Sequence, residues 1–110
     1  MEIQNDGFNK YCLLQFGRII TKEELEFIVN QIIQDINKLH VLNFKIKEIA
    51  IEVIVKMLVA ILKNEKIYIE KEAQKATIDV MKEIGKFKAK SKEKEKLVIV
   101  ICEYIKMTIK

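Results

Sequence analysis

The chain has no proline and no tryptophan, three glycines, two cysteines, one histidine and one arginine. Each shortage excludes something. With no proline and glycine only at 7, 17 and 85, there is little to punctuate a many-turned β fold, so long helices are favoured. His40 has no Cys, Asp or Glu at ligand spacing, so a metal centre is not expected and the residue reads as a helix-end histidine. Cys12 and Cys102 each sit in apolar sequence, and their separation fits neither a CxxC nor a metal pair. They read as buried, inert free thiols of a reducing compartment. Arg18 is the single arginine, although forked recognition of phosphate, carboxylate or guanine is mainly arginine work. No glycine-rich loop is present to cradle a phosphate.

What is present is apolar and charged. Half of the 110 residues are hydrophobic and a third are charged, the balance of a folded domain rather than a disordered chain. Residues 1–110 are expected to form a single helical domain large enough to bury its own core. Residues 1–7 are polar and acidic, unlike a signal peptide. The apolar block 49–62 is shorter than the roughly 20 residues a bilayer span needs and contains Glu52 and Lys56. A cytoplasmic protein with no membrane association is expected.

The apolar periodicity divides the chain into helices. Phe8, Tyr11, Cys12 and Phe16 recur at helical spacing with Gly17 as a stop, so 8–16 reads as a short helix and 1–6 as a flexible arm. Thr21 and Glu24 have capping-box spacing, with Ile20 and Leu25 placed as its hydrophobic staple. Leu25, Val29, Ile32, Ile36 and Leu39 then mark a heptad stripe, broken near His40 or Asn43. From about 44 to 63 most of the sequence is apolar, with a polar line at Lys45, Glu48, Glu52, Lys56 and Lys63. That is a helix buried over most of its circumference, with Glu52 and Lys56 on one wet stripe. Asn64 ends it. Ile69, Ala73, Ala76, Val80 and Ile84 form the next helical face, with Gly85 as its stop. Ser91 is placed to cap a last helix carrying Val98, Ile101, Ile105 and Ile109. The fold expected is therefore all-α, a compact bundle of four to five helices. The alternative is α+β, with a short strand pair near 66–70 and 97–102.

Chemistry is harder to find. The carboxylate pairs Glu48/Glu52 and Asp79/Glu83 have lysines within a turn or two and no Glu-x-x-His partner, so they read as solvated faces. Ser91 has no base beside it. A helix-turn-helix over 69–88 fails for want of a turn and of Arg, Asn and Gln in its second half. A non-enzymatic protein without cofactors is expected, and two functions stay in view. The first is a helical interaction or assembly protein, acting as a homo-oligomer (a dimer is favoured) or by docking a protein partner through Val29, Ile33, Ile36, Ile54 and Met57. The second is a nucleic-acid accessory protein. The connecting segment 86–96 is lysine-rich, and Lys86, Phe87, Lys88, Lys90 and Lys92 are its candidate contacts with phosphates and bases.

Overall fold

The computed structural model describes residues 2–40, 43–86 and 91–108. Five helices account for most of them, and local chemistry sets each end. Asn5 opens α1 (Asp6–Phe16) by accepting a hydrogen bond from Phe8 N at 3.0 Å. α1 stops at Gly17, whose φ of 71° lets its N–H reach back to Leu13 O at 3.0 Å. A β-carbon would strain that left-handed turn. The helix starts two residues before the apolar pattern does, because the cap precedes the first buried ring. The expected loose arm is tied down: Ile3 is buried, its carbonyl accepts from Asn9 Nδ2 at 2.7 Å, and Glu2 bridges Thr21.

α2 (Lys22–Asn37) opens with the capping box read from sequence. Thr21 Oγ1 accepts from Glu24 N at 3.1 Å, and Glu24 Oε1 accepts from Thr21 N at 3.1 Å. Arg18 grips the same carboxylate with both guanidinium nitrogens, at 3.1 and 2.7 Å. The lone arginine is therefore committed to holding the α1–α2 turn. Its hydrogen bonds, followed by that of Thr21 N–H, push the Glu24 carboxyl down to about 2. The folded state thus prefers the charged form. Its contribution is complete above the ordinary value near 4.5 and is lost as the pH falls toward about 2. Glu24→Gln is expected to lower the urea midpoint at neutral pH, and its gap to wild type should close on acidification through that window. A gap that stays constant with pH would contradict this role.

α3 (Phe44–Leu62) is capped by Asn43, which accepts from Lys45 N at 2.7 Å. It ends in a Schellman motif: Asn64, at φ 55°, donates to Ile61 O, and Glu65 N donates to Ala60 O at 2.8 Å. α4 (Lys71–Gly85) includes Gly85 as its last helical residue. α5 (Lys92–Met107) begins at Ser91, whose hydroxyl accepts from Lys94 N at 3.3 Å. The chain is thus an all-α bundle. The strand alternative fails because 97–102 lies inside α5, which buries Leu97, Val100, Ile101, Tyr104 and Ile105 at helical spacing. Among the described residues, Ile69 N donates to Thr108 O at 3.2 Å, tying the α3–α4 connector to the end of α5.

α3 packs on α4 and α2, α5 packs on α4 and α2, and α1 lies across α5. The Cα envelope is 35 × 33 × 19 Å, two helix layers thick. The heptad stripe of α2, Leu25, Val29, Ile32, Ile36 and Leu39, is buried along its whole length. Two polar contacts fix helix registers within this apolar interior. Buried Gln74 donates from Nε2 to Ile105 O at 2.8 Å, joining α4 to α5. Lys94 reaches Asp35 at 2.6 Å, joining α5 to α2 in a largely shielded pair.

Candidate interaction surfaces

The residues expected at an interface are not on the surface. Val29, Ile36, Ile54 and Met57 are fully buried within the single chain, and Ile33 is half-buried at the edge of that core. The reason is packing: α4 and α5 close over the second layer, so the inner stripes of α2 and α3 are already covered. Sequence periodicity identifies a helix with two apolar sides without telling which side the rest of the chain takes.

The side left open is the outer strip of α3. Phe44, Ile51, Val55, Leu58 and Leu62 are separated by steps of seven, four, three and four, which keeps them on one strip of the helix, and Val59 lies beside Val55. Phe44 is 73% exposed, Val55 42% and Val59 43%. Ile51, Leu58 and Leu62 are partly buried against the core, so the strip is continuous with it. The predicted wet line borders this strip. Glu52 and Lys56 are exposed and pair at 3.2 Å, while Lys45, Glu48 and Lys63 are exposed along the same side.

The lysine-rich segment is more committed than its sequence suggests. Phe87, Lys88 and Lys90 lie outside the described residues. Lys86 pairs with Glu83 at 2.9 Å, and Lys92 is exposed in the first turn of α5. Lys94 is taken by Asp35, and Lys96 lies 5.8 Å from the centre of the Phe16 ring, which Arg18 also approaches at 5.9 Å. These contacts draw lysine charge into the fold.

His40 is exposed just beyond α2. Cys12 is buried, and burial pushes its thiol up to about 12; burial also raises Cys102. Both thiols are expected to resist a disulfide reagent in the native protein at pH 8 and to react at once in 6 M guanidinium chloride. Fast native reaction at Cys12 would mean that α1 does not stay docked on α5.

One feature was invisible in the sequence. An open cleft of about 600 Å³ forms where α1 begins, α5 ends and the α3–α4 connector passes between them. All three tyrosines of the chain line it: Tyr11 from α1, Tyr68 from the connector and Tyr104 from α5. Tyr104 is held by an edge-to-face contact with Phe8 at 5.7 Å and accepts from Asn5 Nδ2 at 3.1 Å. Tyr11 donates to Met107 Sδ. These residues stand far apart in sequence, so no local spacing could have announced them.

No protein-family model, no curated protein and no solved structure matches this chain. Among the described residues, no helix is long and apolar enough to cross a membrane.

Proposed function

We propose that this is a small non-enzymatic assembly protein that pairs with a second copy of itself through the outer strip of α3. The supporting observation is that strip: an apolar line on one helix, interrupted by Lys47 and Glu48 after Phe44, open to water at Phe44, Val55 and Val59 and merging with the core at Ile51, Leu58 and Leu62. A single exposed leucine or valine needs no explanation, whereas an aligned set rimmed by charge is what a docking face looks like.

The rim charges favour a second copy as occupant. Glu48 and Glu52 precede Lys56 and Lys63 along α3. In an antiparallel two-fold pair centred on the helix midpoint, Phe44 of one copy meets Leu62 of the other, and Ile51 meets Val55. Glu48 and Glu52 of each copy then flank Lys56 of its partner. A parallel pair would instead set Glu48 against Glu48 and Lys56 against Lys56, like charges that repel. Lys45 and Lys63 come together only at the wet ends of the antiparallel pair, where salt screens them. Such an interface is isologous and closes on itself. A strip about 28 Å long and one helix wide is small for a stable dimer, so affinity on the order of 1–100 µM is expected.

The test is an amide-correlation NMR dilution series. Resonances of 44–62 should shift or broaden with concentration, strongest at 51–59. Concentration-independent spectra would refute self-pairing. Shifts that instead appear across 86–96 on adding short DNA or RNA, and vanish with salt, would move the function to the lysine-rich segment.

A further inference from the structure

The tyrosine cleft begins where the α3 strip ends and has its own electrostatic character. Two helices end beside it. Asn64 and Glu65 follow the last turn of α3, and Met107 and Thr108 close α5, so the negative carbonyl ends of both dipoles fall at the cleft. One helix begins there, and Asp6 in the first turn of α1 offsets its positive end. Two carboxylates, Asp6 and Glu65, line the cleft against one ammonium, Lys66, among the described residues. Aromatic ring faces carry the negative side of their quadrupole, and here three phenol rings share one opening. Tyr104 is fixed by Phe8 and Asn5, and Tyr11 by Met107. Tyr68 stands 72% exposed on the connector, an apolar ring held in water at the mouth.

We infer that this cleft binds an organic cation, a guanidinium or alkylammonium group, placed between the Tyr68 ring and the Asp6 and Glu65 carboxylates. Helix carbonyl ends, carboxylates and tyrosine faces each favour positive charge, and the rings favour a weakly hydrated cation over a small inorganic one. The group can arrive as a free amine or on an arginine or lysine side chain of a peptide; both present the same chemistry to the cleft.

The chain supplies its own reporter. It has no tryptophan, and every tyrosine lines the cleft, so its intrinsic emission reports on this site; Tyr68 also borders a second hollow beside Glu52, Glu70 and Glu72, from which Glu65→Gln distinguishes the cleft. Full-length protein is titrated with N-acetyl-arginine amide and with tetramethylammonium, at ionic strength held constant with KCl. A saturable change in tyrosine emission is expected, with half-saturation on the order of 1–10 mM. Tyr68→Ala should weaken it about fivefold, and Glu65→Gln should weaken it severalfold. Both positions are exposed, and unchanged far-UV circular dichroism confirms that the fold is kept. A five-residue peptide with a central arginine that binds tighter than the amino-acid amide identifies a peptide source, and equal affinities identify a free amine. The inference is overturned by an emission change that does not saturate, by the same change with KCl alone, or by Tyr68→Ala binding as wild type does.

Discussion

Ile54→Lys is expected to unfold the protein, while Val55→Lys, one residue along the same helix, leaves it folded. Ile54 is fully buried at the middle of α3, the helix that packs on α2 and α4. Replacing it forfeits about 1.5–3 kcal/mol of apolar burial. It also forces an ammonium into a site with no carboxylate provided for it, and changes of that kind cost more than about 4 kcal/mol. A domain of this length is stable by only about 5–15 kcal/mol. Val55 sits 100° around the helix with its side chain partly in water, so a lysine there extends into solvent. Far-UV circular dichroism and thermal melts check the contrast: lost helicity and no cooperative transition for the first, a melt within a few degrees of wild type for the second. A folded Ile54→Lys protein would mean that α3 is rotated from the orientation described.

The second large effect is on assembly. Val55→Glu/Val59→Glu places two carboxylates near the centre of the proposed antiparallel pair and, by symmetry, two more from the other copy. Desolvating these charges, with position 55 set beside Glu52 of the other copy, is expected to weaken pairing at least 100-fold, about 2.7 kcal/mol or more. Helicity and melting of the single chain should change little, because neither valine is in the core. Gel filtration at high protein concentration should then show only the single chain. Retained pairing would place the interface elsewhere.

The neighbours 54 and 55 also show how far the sequence could be read. Helix boundaries set by local chemistry were legible: the Thr21–Glu24 box, the Ser91 cap and the αL stop at Gly17 all stand where residue type and spacing put them, and the break near His40 or Asn43 resolves into an Asn43 cap. The apolar stripe of α2 was legible because it has one face to bury. α3 was legible as a helix but not as a surface. It is apolar over more than half its circumference, and which part meets water depends on where α4 and α5 settle. Val29, Ile36, Ile54 and Met57 therefore looked available in sequence and are enclosed in the fold. The cleft was illegible for a different reason. Tyr11 read as an ordinary position of a helical face, and Tyr68 and Tyr104 belong to none of the apolar stripes, so only the tertiary structure brings them together.

Sedimentation equilibrium of the wild-type chain across about 1–500 µM tests self-pairing through α3. The mass is expected to rise from 12.9 kDa toward twice that value within this range, while Val55→Glu/Val59→Glu remains at 12.9 kDa throughout. A wild-type mass of 12.9 kDa at every concentration would contradict self-pairing.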